Sequence, residues 1–287
     1  MTDYIVVDGR RTPVLSGGRS ERTVWMHSAA KPLQLLPLLD RGLDRAYALS
    51  PGELALLSSS HMGQPQHMEA LRSLLTKTGL RESGLVLPPA APEGRISYRN
   101  WLLRGGGKRR LYHPCSGNHM AIMLLQRELT GGTAGYERMS SPAQREILWY
   151  IQNYTGETPM LKLDHCGIPT YRVSLGGIAS AYQRLGKEAL SGGAAARLVS
   201  ALHADPVMVE GDGCISTVLC ADSGLVAKTG VNHLLALGDQ RRGLGAAIIS
   251  DGGWGDIVEA LCGISVQTGI VSKELEYQLN QIMCRYL

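Results

Sequence analysis

Ser28-Ala29-Ala30-Lys31 sets a hydroxyl and an amine three residues apart. Positions three apart on a helix share a face, so the Lys31 ammonium is within reach of the Ser28 hydroxyl. The positive end of a helix dipole disfavours a second positive charge there, and burial acts the same way. An amine neutralised like this can take a serine proton without any histidine, which suits acyl transfer. A capping serine followed by a solvated lysine gives the same pattern with no chemistry in it. The loop Ser58-Ser59-Ser60-His61-Met62-Gly63-Gln64 offers further hydroxyls and an imidazole. Ser60 and His61 there read either as a second nucleophile with a proton shuttle or as helix caps.

Two more loops carry soft and basic ligands. His113-Pro114-Cys115-Ser116-Gly117-Asn118-His119 is a turn that opens a helix, where backbone N–H groups attract anions and lower a thiol pKa. Asp164-His165-Cys166-Gly167 follows a strand. If the two loops converge, Cys115 and Cys166 with nearby imidazoles make a zinc site chemically reasonable, although their separation is too long for a sequence metal motif. Gly211-Asp212-Gly213-Cys214 leads into an expected strand, and Ala227-Lys228-Thr229-Gly230 closes another. A Lys-Thr-Gly on a strand flanks the Ser-x-x-Lys serine in penicillin-recognising enzymes, so Lys228 with Ser28 and Lys31 forms a two-part signature.

The elements that must hold these loops are legible in outline. Tyr4–Asp8 reads as a strand, and Ser28–Asp40 as a buried helix with Pro32 in its first turn. Pro51–Ser58 and the amphipathic Gln66–Thr78 read as helices. The stretch 86–107, with Pro88, Pro89, Pro92 and Gly105-Gly106-Gly107, reads as irregular cover, and it is the boundary if the chain forms two lobes rather than a single unit spanning 1–287. Arg110–Tyr112 looks strand-like, and helices are expected over 118–129, 141–154, 175–186 and 193–202, with a short strand at Leu161–Leu163. Strands are expected at Ile215–Cys220, Leu225–Lys228, Leu234–Leu237 and Gly245–Ser250, then helices at Asp256–Gly263 and Ser272–Tyr286. The fold class is α/β or α+β.

Composition narrows the function classes. The chain has 287 residues, 44% hydrophobic and 19% charged, which excludes a disordered protein. A net charge of +4 is too small and scattered for a nucleic-acid binder. No apolar run approaches the roughly 18 residues of a membrane span, and Met1–Pro13 lacks a signal-peptide core, so a cytoplasmic protein with no membrane partner is expected. Six cysteines without a CxxC pair read as reduced thiols. Phe is absent, and 11 Tyr and 4 Trp supply the aromatic bulk.

Over most of its length, from about Ser28 to Gly253, the chain resembles the bacterial asparaginase II family, the thermolabile type typified by rhizobial inducible asparaginases. Five ordered anchors carry the resemblance: Ser28-Ala29-Ala30-Lys31-Pro32-Leu33-Gln34; Ser60-His61-Met62-Gly63-Gln64 through Ala70; Lys108 through His113 into Cys115-Ser116-Gly117; Asp164-His165-Cys166-Gly167-Ile168-Pro169; and Ala227-Lys228-Thr229-Gly230. The resemblance implies a fold similar to serine β-lactamases and glutaminases, a central mostly antiparallel sheet flanked by helices, and a homodimer. It implies hydrolysis of L-asparagine to aspartate and ammonia with two Ser–Lys pairs, Ser28 with Lys31 and Ser60 with Lys228. It implies zinc on Cys115 and Cys166, and substrate contacts from His61, Gly117, Asn118 and Asp164. Departures cluster at this site. Asn118 stands where the family has its zinc-side lysine, His119 and His165 are the available replacements, and Pro114, Gln64, Asp212 and Cys214 replace Asn, Glu, Thr and Arg. The family's opening strand is expected to be missing. Two alternatives follow from these departures: a non-catalytic family member, or an amidase with a different amide substrate.

Overall fold

A computed structural model describes residues 1–284. The strands in chain order are β1 (Thr2–Val7), β2 (Pro13–Gly17), β3 (Thr23–Trp25), β4 (Met160–Leu163), β5 (Pro169–Ser174), β6 (Leu225–Gly230), β7 (Leu234–Asp239) and β8 (Leu244–Ser250). The helices are α1 (Lys31–Asp40), α2 (Leu43–Ala46), α3 (Pro51–Leu57), α4 (Pro65–Thr78), α5 (Arg95–Leu103) and α6 (Ser116–Thr130). They continue with α7 (Pro142–Thr155), α8 (Leu175–Ala189), α9 (Gly193–Ala204), α10 (Ile215–Cys220), α11 (Trp254–Thr268) and α12 (Lys273–Cys284).

The central sheet runs β2-β1-β8-β7-β6, and every pair in it is antiparallel. The first strand therefore pairs with the last, β1 with β8 from Thr2↔Ser250 to Val7↔Gly245. A second small sheet, β3-β5-β4, caps the edge where the first and middle thirds of the chain join. This is the mixed α/β architecture with a central antiparallel sheet flanked by helices that the sequence leads one to expect.

Strands β6 and β7 are buried at every position, so they read as continuous apolar runs rather than as alternating ones. Helix α8 lies against β7 and β8 at very short range. A Cβ on Gly245 would fall 2.0 Å from the Ala179 carbonyl oxygen, so only glycine fits that contact. The absent phenylalanines are replaced in the core by Tyr136, Tyr171 and Tyr182, each fully buried. The Tyr182 hydroxyl donates to the Ala29 carbonyl at 2.8 Å and so fixes the turn in front of α1.

Four expectations fail, each for a local reason. Ile215–Cys220 is a helix, because a six-residue apolar run cannot be told from a strand by periodicity. Its first turn is closed by Thr217, whose hydroxyl donates to the Gly211 carbonyl. Arg110–Tyr112 is a single 3-10 turn. The irregular stretch 86–107 contains α5, a nine-residue helix that buries no residue and lies between the prolines at 88, 89 and 92 and the glycines at 105–107. The strands Pro13–Gly17, Thr23–Trp25 and Pro169–Ser174 give no clear period and were not expected. The expected end of the last helix at Tyr286 lies outside the described residues.

Gly245→Val should overpack the α8 contact and cost about 2 kcal/mol or more, a fall of roughly 5 °C in the thermal midpoint. An unchanged melt would show that α8 can move away from the sheet.

Candidate active site

Lys31 begins α1 and is only 3% exposed. Its Nζ donates to the Ser59 carbonyl (2.8 Å), to Ser60 Oγ (2.8 Å) and to Cys115 Sγ (3.3 Å). An ammonium has three N–H bonds, so these acceptors take all of them. Ser28 lies in the 3-10 turn His27–Ala30 just before α1, and its carbonyl accepts from the Lys31 backbone N–H. The lysine side chain thus reaches the serine on the neighbouring loop instead of the serine three residues before it.

The Ser60 loop is held as a strap across two others. Ser60 N–H donates to the Val209 carbonyl (3.1 Å), His61 N–H to Pro114 (3.2 Å) and Met62 N–H to Glu210 (2.8 Å). His61 is fully buried, and both its ring nitrogens are engaged. Gly63 N–H donates to Nδ1 at 3.1 Å, which leaves the proton on Nε2 to donate to Ser116 Oγ at 2.8 Å. Ser116 passes its own hydroxyl proton to the Leu111 carbonyl. Burial, then the nearby His67 and Lys31 charges, push the His61 imidazole well below its ordinary value. The contacts of His61 with Gly63 and Ser116 both fasten the loop.

The second lysine is paired differently from the expectation. Lys228 on β6 is completely buried, and its Nζ donates to Glu210 Oε1 (2.7 Å), to the Thr229 carbonyl (3.1 Å) and to Thr229 Oγ1 (3.3 Å). Glu210 also accepts from the Ser216 N–H (3.2 Å) and from the Thr229 hydroxyl. Burial alone would raise the Glu210 carboxyl, but the Lys228 charge and these hydrogen bonds bring it below its usual range. Sequence reading missed Glu210. A lone carboxylate ending the apolar run Met208-Val209 was the available signal.

The two cysteine loops do converge. The Cys166 thiol hydrogen-bonds to Cys115, and that bond together with the Lys31 and His113 charges holds the Cys115 thiol well below its ordinary value against burial. The same contact raises Cys166. Beside them, His27 sits at a left-handed φ of 46° and binds Asp164 Oδ1 through Nδ1 at 3.0 Å. Burial raises the Asp164 carboxyl, and the His27 contact more than offsets it, leaving it below its usual value.

Asn118 and His119 follow on α6 and are fully buried. Both amide atoms of Asn118 and Nε2 of His119 lack a hydrogen-bond partner, while His119 Nδ1 is 2.8 Å from the Tyr136 hydroxyl. Gly117 serves packing, since a Cβ there would fall 2.3 Å from the Leu56 carbonyl oxygen of α3. Among the described residues no three His, Cys, Asp or Glu side chains come together to hold a metal. The two thiols would supply part of the donor set of a zinc site.

The site thus brings together a buried lysine bonded to a serine on a loop that carries Gly63, a thiol pair and a carboxylate. The family model for L-asparaginase II matches residues 1–285, and the chain belongs to that family. Membership places it with the asparagine-hydrolysing amidohydrolases. No curated protein matches the chain. A solved structure described as "Crystal structure of Mglu in its native form in the presence of 4.3M NaCl" is similar at 14% identity, with a TM-score of 0.48 over 87% of this chain. This chain spans 56% of that protein's length.

Glu210→Ala should leave Lys228 buried and unpaired and destabilise by about 3–5 kcal/mol, with Glu210→Ala/Lys228→Met recovering much of the loss. No recovery in the double variant would contradict a simple ion pair. Burial also lowers the His119 imidazole from 6.5 to about 3. The unfolded chain then takes up this proton before the folded one does. Stability should therefore be complete above pH 6.5 and fall toward about pH 3, by about 1.4 kcal/mol per pH unit for each buried neutral histidine. A flat stability profile in denaturant melts over that range would contradict it.

Proposed function

We propose that the chain hydrolyses the side-chain amide of L-asparagine, with Ser60 as nucleophile and Lys31 as its base. The observation that carries this reading is the 2.8 Å contact between Lys31 Nζ and Ser60 Oγ. For the reaction the amine has to be in its neutral form. Ser60 Oγ attacks the amide carbon, and its proton passes to Lys31 Nζ. Lys31 returns that proton to the departing nitrogen, and ammonia leaves an aspartyl ester on Ser60. Water, deprotonated by the same amine, attacks the ester and releases aspartate and the free serine. Asp164, oriented by His27, supports the reading as a carboxylate whose charge is felt at Cys115, the thiol bonded to Lys31. Zinc on Cys115 and Cys166 is a separate proposal, tested by metal analysis of protein purified without chelator; absence of zinc would remove it. The homodimer likewise stands as a proposal, tested by sedimentation.

One observation favours a second reading. Lys228 is committed to Glu210 and has no serine among its hydrogen-bond partners. A member with one Ser–Lys pair out of service would bind an amide and turn it over slowly or not at all. Ammonia release from L-asparagine separates the readings. Lys31→Met and Ser60→Ala should each lower the rate on the order of 10³–10⁴-fold, and Ser28→Ala should cost at least tenfold less than either. Abolition by Ser28→Ala with Ser60→Ala spared would return the nucleophile to Ser28. No release by the folded wild type would favour the second reading.

A further inference from the structure

Residues 90–109 form a flap over the Ser60 loop. Its base is closed by Ala90 and Arg109, which exchange two backbone hydrogen bonds of 3.0 Å each, and Arg109 is paired with Glu82. Its inner edge is seated on the loop. Gly94 N–H donates to the Met62 carbonyl at 2.8 Å, and a Cβ on Gly63 would fall 2.9 Å from Pro92. A cavity of about 450 Å³ opens between this edge, the Ser60 loop and the 212–214 loop, lined among others by Met62, Gln64, Glu93, Arg95 and Asp212.

The charges on this wall are unusual. The Arg95 guanidinium makes no ion pair or hydrogen bond with any described residue, and neither does the Glu93 carboxylate. The Asp212 carboxylate accepts from Gln64 Nε2 at 3.1 Å, and the Asp212 N–H donates to Gln64 Oε1 at 3.1 Å. Glu93 and Arg95 are two residues apart, yet they do not pair. Burial raises the Glu93 carboxyl above its usual value, with the His113 and Lys31 charges acting against this and the Cys115 charge with it. One cation and one anion without a partner among the described residues thus line a cavity whose wall includes Met62 and Gln64 of the Ser60 loop. An α-amino acid carries the complementary charges, an α-carboxylate and an α-ammonium, and guanidinium binds carboxylate with two parallel hydrogen bonds.

We propose that Arg95 and Glu93 determine substrate specificity, with Arg95 binding the α-carboxylate and Glu93 the α-ammonium of an amino acid amide. The flap then selects the zwitterion and leaves the side-chain amide directed to Ser60. This inference rests on the amidohydrolase reading, and its test separates the two.

The test compares wild type, Arg95→Gln, Arg95→Lys and Glu93→Gln on L-asparagine and on propanamide, which has the same kind of amide but no α groups. Binding of L-aspartate is measured by calorimetry on the same proteins. Arg95→Gln and Glu93→Gln should raise KM for asparagine on the order of 10–100-fold, as expected for hydrogen bonds to charged groups, with kcat within about threefold. Aspartate affinity should fall in parallel, Arg95→Lys should recover part of the loss, and propanamide hydrolysis should not change. A KM for asparagine that ignores both variants overturns the inference and leaves the amidohydrolase reading intact. Equal losses on asparagine and propanamide also overturn it, by making the flap merely structural. Arg95-dependent aspartate binding without hydrolysis of either amide upholds the recognition and overturns the hydrolytic reading. A wild type that neither binds aspartate nor acts on asparagine overturns both.

Discussion

A lysine buried at the first turn of a helix is disfavoured twice, by lost hydration and by the positive end of the helix dipole. Lys31 stays there because three acceptors from two loops meet its three N–H bonds. Much of the surrounding structure follows from that requirement. The turn in front of α1 is fixed by the Tyr182 hydroxyl, which sets where the side chain starts. The Ser60 loop is strapped by backbone hydrogen bonds to Val209, Pro114 and Glu210, which sets where it ends. His61 and Ser116 lock the same loop from below.

The second lysine shows how differently a fold can treat the same side chain. Lys228 is as buried as Lys31, yet its partners include a full carboxylate. Lys31 is bonded to a serine hydroxyl, a carbonyl and a thiol, whereas Lys228 is bonded to a carboxylate and to the carbonyl and hydroxyl of Thr229. The geometry thus divides the lysines into one in contact with a serine hydroxyl and one that ties β6 to Glu210 of the 209–216 loop. This division is the physical basis for assigning the base to Lys31.

The sequence was informative where chemistry is local and uninformative where it depends on three-dimensional pairing. Strands β6 to β8 and helices α1, α3, α4, α6, α7 and α8 were legible because long apolar runs and proline or serine starts mark them. Helix α10 was misread because six residues do not define a period, and α5 was missed because it is short and lies between prolines and glycines. At the site, Ser60, Lys31, Cys115 and Cys166 were all singled out and do lie together. Their pairing was not legible, since Ser28 is close to Lys31 in sequence while Ser60 is close to it in space. Glu210 escaped because a single carboxylate has no spacing to read. The packing of Gly117 against α3 and the hydrogen bonds of His61 to Gly63 and Ser116 were not legible either, because they depend on elements distant in sequence or on a ring orientation.

The central claim is that the serine bonded to Lys31 forms the covalent intermediate. Acid quenching of the enzyme during turnover of L-asparagine, followed by peptide mapping in a mass spectrometer, tests it directly. The account predicts an aspartyl ester on the peptide carrying Ser60, absent from the Lys31→Met protein. An ester on the peptide carrying Ser28 would contradict it.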